Sequence, residues 1–186
     1  MDIIAAVGPT ATSRDPIPSE WRVMAIKATQ ERTTTIPDSH FLPEDVFQTL
    51  QTGISGDDPI LRSSYRLAFD LIWGREATGR PLESIMGGIN HEEKMSLMEF
   101  MSNVEESTRH RKFASTKSKR LGLVRTKVKP KDLICILLGC SVPVILRKEG
   151  EKYTLMGEAY VHDFMDGKGM FGLDSGLYFP EEFAIK

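Results

Sequence analysis

Glu158, Tyr160 and His162 alternate along Glu158-Ala159-Tyr160-Val161-His162. On an extended strand, residues two apart project from one face, so the three polar side chains share it. Uncharged tyrosine and histidine can each donate a hydrogen bond to a carbonyl, and apolar neighbours strengthen that bond by excluding water. A reaction that is feasible unaided, such as an intramolecular cycloaddition, needs little more than a folded substrate and a polarised carbonyl. Holding the reactive conformer supplies several kcal/mol, and hydrogen bonds to developing charge add roughly 3. The same residues also admit a structural reading. Tyr160 and His162 then bond the backbone near Met165-Asp166-Gly167, and Glu158 holds Arg147 or Arg125.

Other arrangements of reactive residues lead nowhere. Gly167-Lys168-Gly169-Met170-Phe171-Gly172 spells G-x-G-x-x-G. A dinucleotide fold needs a helix directly after it and a second strand carrying an acid, and too little chain follows. Cys135 and Cys140 are spaced by four residues rather than two, so two buried, inert thiols are expected. His40, His91, His110 and His162 lack ligand spacing, and no metal or cofactor is expected. Asp57-Asp58 and Asp163-Phe164-Met165-Asp166 have no partner acidic cluster on a long helix, which argues against diphosphate ionisation.

Charge divides the chain. Residues 1–112 hold 12 basic and 17 acidic side chains; residues 113–186 hold 12 and 9. Ten cations and no acid lie between Arg109 and Lys131, among them Lys127 and Lys129. Phe113 is the one aromatic in that run, so the stacking platform of a single-strand binder is missing. A solvated cationic face without nucleic acid is expected, with the neighbouring acidic helix (Glu92, Glu93, Glu99, Glu105, Glu106) offering ion partners.

The elements that position these residues follow from periodicity. Residues 8–18, broken by Gly8, Pro9, Pro16 and Pro18, read as an irregular arm. Short helices follow, from Ser19 with Trp21, Met24, Ala25 and Ala28 on one side, and from Pro43 to Leu50. A longer one starts at Asp58-Pro59; Leu61, Tyr65, Ala68, Phe69, Ile72 and Trp73 share its inner face, and Gly74 and Gly79 lie near its end. Asn90 followed by Glu93 resembles a capping box, before an apolar stripe of Met95, Met98 and Met101, with Leu97 and Val104, that reads as core. After residue 112 the period becomes two. Strands are expected at 121–124, 132–138, 142–146 and 153–161. The run 133–138 is apolar on both faces, so both must be covered. The spacing therefore implies an α+β fold. A mainly helical lead (1–112) packs on a small antiparallel β-barrel or folded sheet (113–186), with one shared core.

Composition agrees with a globular chain. Of 186 residues, 40% are hydrophobic and 27% charged, with a net charge of −2. No apolar run reaches the ~18 residues of a membrane helix, and the N-terminus lacks the basic region of a secretory signal. A cytoplasmic protein is expected.

One stretch is distinctive. Arg120-Leu121-Gly122-Leu123, then Pro130-Lys131-Asp132-Leu133 through Pro143-Val144-Ile145-Leu146-Arg147, then Tyr153-Thr154-Leu155-Met156-Gly157-Glu158-Ala159-Tyr160-Val161-His162-Asp163-Phe164-Met165-Asp166-Gly167 resembles the C-terminal region of fungal heterokaryon-incompatibility (HET) proteins. The likeness covers about residues 111–168 and implies a filamentous fungal origin. Three positions depart from the family pattern: Lys131 and Asp163 replace glycines, and Lys168 replaces an acid. Family members carry a large N-terminal effector domain that triggers cell death. Nothing in residues 1–112 resembles it, so the expectation is a C-terminal module alone.

Two functions follow. In the first, the module is a small-molecule protein of fungal secondary metabolism, a cofactor-independent cyclase or isomerase acting on an apolar terpenoid or polyketide. Tyr160, His162 and Glu158 are then catalytic, and Trp73, Phe69, Tyr65 and Met98 wall the substrate cleft. In the second, it is a non-enzymatic interaction or regulatory module. A second copy or a protein partner fits either.

Overall fold

The computed structural model describes residues 2–12, 17–30, 44–52, 59–73, 82–165, 167–176 and 179–186. Pro16, His40, Pro43, Asp57, Asp58, Gly74, Gly79 and Asp166 lie outside them.

The helices start where caps and apolar spacing place them. α1 (Ser19–Gln30) buries Trp21, Ala25 and Ala28, and α2 (Glu44–Gln51) buries Val46, Phe47 and Leu50. α3 (Pro59–Trp73) buries Tyr65, Ala68, Phe69 and Trp73, and a short α4 (Leu82–Gly87) follows. α5 (His91–Thr108) opens on the expected capping box. The Glu93 amide donates to the Asn90 side chain and the Asn90 amide to the Glu93 carboxylate, both at 2.9 Å. Two otherwise orphaned amides are thereby satisfied. The expected stripe on α5 is buried only in part. Met95 and Met98 are more than half exposed, while Leu97, Phe100 and Val104 face inward and Met101 packs at the margin. Two apolar rows compete on this helix, and the row carrying Phe100 joins the aromatic cluster with Phe47, Tyr65 and Phe69.

Six strands close a barrel in the order β1-β2-β3-β6-β5-β4, every pair antiparallel. They are β1 (Asp2–Thr10), β2 (Arg111–Thr116), β3 (Leu121–Arg125), β4 (Leu133–Cys135), β5 (Val144–Glu149) and β6 (Lys152–Val161). With the helices against it, this is the expected α+β class. The chain beyond β6 makes a 3-10 turn (His162–Phe164) and a short α6 (Lys168–Asp174).

The N-terminal arm is a correction. Gly8 and Pro9 belong to a barrel strand, not to an irregular segment. The register of β1 on β2 shifts between Ile4 and Ala6 and again between Val7 and Thr10, where Gly8 and Pro9 sit. Such irregularities accommodate glycine and proline, and they also erase the two-residue alternation that would have signalled a strand. The apolar run 133–138 is likewise not one strand. β4 ends at Cys135, and Leu138 is 71% exposed.

Burial sorts into three layers. Inside the barrel lie Ile4, Ala114, Val124, Val128, Ile134, Ile145, Ala159 and Val161. Outside β2, β3 and β6, Phe113, Leu121, Leu123 and Tyr160 join the helical core around Trp21, Phe47, Phe69 and Phe100. Outside β4, β5 and β6, Cys135, Val144 and Leu146 are packed by Leu133, Leu137, Tyr153 and Phe183.

β6 serves all three layers because its facing changes midway. Opposite it, Ile145 pairs with Gly157 and Leu146 with Leu155, so Met156 is an extra residue, and Gly157 takes φ +128°. Beyond this bulge Ala159 and Val161 point into the barrel and Tyr160 points to the helices, as alternation requires. Before it the parity reverses. Met156 packs inward, and Leu155, which unbroken alternation with Ala159 and Val161 would place in the core, is 51% exposed.

Candidate functional site

Tyr160 lies opposite Leu123 and is buried in the cluster that contains Phe69 and Trp73. Its hydroxyl is 3.3 Å from Nδ1 of half-buried His162, so these two residues are brought together. Glu158 is drawn elsewhere. Its carboxylate accepts a hydrogen bond from Arg125 and lies 3.9 Å from Arg111. A bond to its own backbone amide and these arginines hold its pKa below the usual glutamate value. Arg111, by burial and by the nearby Arg125 charge, is pushed below the ordinary arginine value.

The residues expected to wall a substrate cleft are placed differently. Tyr65 and Phe69 are fully buried, and Trp73 stacks on Phe69 with ring centroids 5.9 Å apart. The Trp73 carbonyl accepts from Arg22 at 2.5 Å. The Tyr65 hydroxyl accepts from Asn103 at 2.5 Å, and burial followed by the neighbouring Glu99 pushes its pKa up to about 12. Met98 points to solvent, 57% exposed.

A cleft of about 170 Å³ beside the end of β4 contains none of these residues. Its walls are the end of β4 with Ile136 and Leu137, Phe164 of the 3-10 turn, Met170 and Leu173 of α6, and Phe183 of the C-terminal tail. α6 reaches β4 closely because Gly169 has no side chain: a Cβ there would run into Ile136. Of the G-x-G-x-x-G string, Gly169 and Gly172 are buried in α6, and Gly167 precedes the helix with a positive φ of 75°. The polar groups at the cleft are Glu181 at its mouth and the Cys135 thiol in its wall. Burial pushes that thiol up to about 11. Cys140, expected to be buried, is exposed on the β4–β5 connection; both cysteines are free. Among the described residues no cluster of histidine, cysteine and carboxylates is arranged to hold a metal ion.

The signal for this cleft lay in two late segments, Met170-Phe171-Gly172-Leu173 and Phe179 to Phe183. Both carry large apolar side chains outside any recognisable strand pattern.

Of the basic run, Arg111, Arg120 and Arg125 have carboxylate partners on the barrel strands. Arg120 meets Asp2 at 3.1 Å and Asp163 at 3.5 Å and lies over the Phe164 ring. Arg147 takes Asp132, leaving Arg125 as the partner of Glu158. Of the acidic helix expected to neutralise the run, Glu105 pairs with Arg109 at 3.4 Å.

No curated protein and no solved structure matches the chain. Residues 83–171 match the family model of the Het-6 beta-barrel domain, a span that takes in α5, β2 through β6 and most of α6. That segment is similar to the Het-6 beta-barrel domain, consistent with a resemblance to the C-terminal region of heterokaryon-incompatibility proteins.

Proposed function

We propose that the chain is a non-enzymatic interaction module of the heterokaryon-incompatibility type, whose cleft beside α6 receives one large apolar side chain of a partner protein. The cleft's size within an apolar rim supports this. Small-molecule sites run to about 300–1,000 Å³, whereas a cavity of about 150 Å³ holds a single benzene ring. At about 170 Å³ the cleft suits a phenylalanine or leucine side chain and is too small to enclose a terpenoid or polyketide. Exposed Phe171 (69%) and Phe179 (83%), with Leu138, extend the apolar surface around it, as protein-binding patches do.

Toluene, the free side-chain analogue of phenylalanine, tests this when titrated while the Met170 methyl resonance is followed. A saturable shift that Leu173→Arg abolishes is expected. Farnesol binding more tightly than toluene would favour a small-molecule site instead.

The second reading is a cofactor-independent cyclase or isomerase of fungal secondary metabolism acting on an apolar terpenoid or polyketide. The Tyr160–His162 hydrogen bond favours it, because it sets two hydrogen-bonding side chains next to each other beside apolar residues. In that case Tyr160→Phe should slow turnover at least tenfold, about 1.4 kcal/mol, with the melting temperature largely kept. A cytoplasmic location accompanies both readings, and among the described residues no helix is long and apolar enough to cross a membrane.

A further inference from the structure

The first half of β6 has an open edge. β6 pairs with β5 from Lys152 to Glu158 but with β3 only from Ala159 to Val161. Tyr153 turns its backbone away from β5 and there meets the C-terminal tail. Its N–H donates to the Ala184 carbonyl at 2.8 Å and its carbonyl accepts from the Lys186 amide at 2.9 Å, a single parallel bridge to Ile185. Two side-chain contacts accompany the bridge. The Phe183 ring sits edge-on to Tyr153 with centroids 4.9 Å apart, and the Lys186 ammonium is 2.6 Å from the Glu149 carboxylate.

That hold is short. Leu155 presents its backbone along the same edge, two residues beyond Tyr153. Among the described residues it pairs with no strand on that side. The Lys186–Glu149 pair is about half exposed and therefore weak. The tail displays the chemistry this edge accepts: main-chain pairing, an aromatic ring against Tyr153, and a cation three positions later for Glu149. The cleft opens directly beside Phe183.

We infer that the β6 edge at Tyr153–Leu155, together with the cleft, is a strand-addition site for an extended partner peptide with an aromatic residue followed three positions later by lysine or arginine. The chain's own residues 179–186 occupy one rung of it as a competing segment. This rests on the interaction-module reading. Main-chain bonds along the edge supply affinity, and the ring seat with Glu149 supplies selectivity. A peptide that also pairs with Leu155 outcompetes the tail.

The test uses the full chain and a fluorescein-labelled octapeptide, Phe-Pro-Glu-Glu-Phe-Ala-Ile-Lys. Binding is compared between the wild type and a variant carrying Phe183→Ala with Lys186→Ala. The variant is expected to bind at least tenfold more tightly, because its own tail competes less. A peptide with its second phenylalanine replaced by alanine is expected to bind at least tenfold more weakly. Equal affinity for the two proteins, or no loss with the altered peptide, overturns the inference. Should the double variant melt at a sharply lower temperature, Lys186→Ala alone takes its place, with at least threefold tighter binding expected and equal binding overturning the idea. The toluene titration at Met170 separates the two levels. A toluene shift without peptide binding removes the strand-addition site and keeps the cleft; absence of both removes both.

Discussion

Arg147 of β5 grips Asp132, the residue just before β4, with two hydrogen bonds, 2.8 Å from Nε and 2.6 Å from Nη2. The Asp132 side chain is almost wholly buried and also accepts from the Lys129 amide at 2.9 Å, while Arg147 reaches the Lys127 carbonyl at 2.8 Å. Together they pin the crossing from β3 to β4, whose Val128 lies in the barrel interior. Asp132 and Arg147 are therefore barrel staples, and neither lines the cleft. Removing one partner leaves the other charge poorly compensated. Arg147→Ala is expected to cost about 3–5 kcal/mol in urea unfolding, and Arg147→Met combined with Asp132→Leu much less. A loss under 1 kcal/mol for Arg147→Ala would remove the staple from this account.

Lys131, at a position where the resemblance noted above implies glycine, has a φ of +79°, in the left-handed region that favours glycine. A residue with a Cβ is strained there, while the Lys131 amide is held to the Ile4 carbonyl at 2.9 Å. Lys131→Gly is therefore expected to stabilise the chain by about 1 kcal/mol, read as a raised melting temperature. An unchanged or lowered melting temperature would show that the lysine's own contacts outweigh the strain.

Acid should loosen the start of β1. Burial works to raise the Asp2 pKa, but hydrogen bonds from Thr116, the Ile3 amide, Arg120 and Ser118 outweigh it and hold the carboxyl below its ordinary 3.8. A depressed folded-state value stabilises fully above the unfolded value, and the gain is lost as pH falls through the lower folded value. Glu44 and Glu158 are lowered as well, so the comparison must be a difference. Between pH 5 and pH 2 the urea midpoint of the wild type is expected to fall more steeply than that of Asp2→Asn. Parallel slopes would exclude Asp2 as a contributor.

The two thiols should differ sharply. Cys140 is exposed and Cys135 buried with its pKa pushed up to about 11, so at pH 8 an aromatic disulfide reagent should titrate one thiol in the folded chain and two in guanidinium. Cys140→Ser should abolish the folded-state reaction. Two fast thiols in the native chain would mean that the barrel wall at β4 opens readily.

Tyr160 and His162 report on the remaining choice. If they are fold residues, Tyr160→Phe loses one hydrogen bond, a cost of about 1 kcal/mol, and leaves toluene and peptide binding intact. A turnover defect without that loss of stability would return the pair to the enzyme reading.

Local rules sufficed wherever a signal is carried by neighbours in the chain. The Asn90–Glu93 box, the inner row of α3 and the outward turn of Tyr160 from the barrel interior were all legible, since capping and periodicity act over three or four residues. Three matters needed the folded chain. Whether Gly8-Pro9 is an arm or a strand depends on partners near residues 112–116, more than 100 residues away. The facing of Leu155 depends on a single bulge at Met156, since one inserted residue reverses every side chain behind it. The cleft exists because α6, the tail and the end of β4 meet over Gly169, and no spacing rule in one segment encodes a void shared by three. Sequence alone determined which residues are apolar and how they recur; tertiary packing decided which of two apolar rows on α5 is core and which apolar residues stay at the surface. Burial depends on competition for a limited interior, and the amphipathic pattern of one helix does not record its rivals.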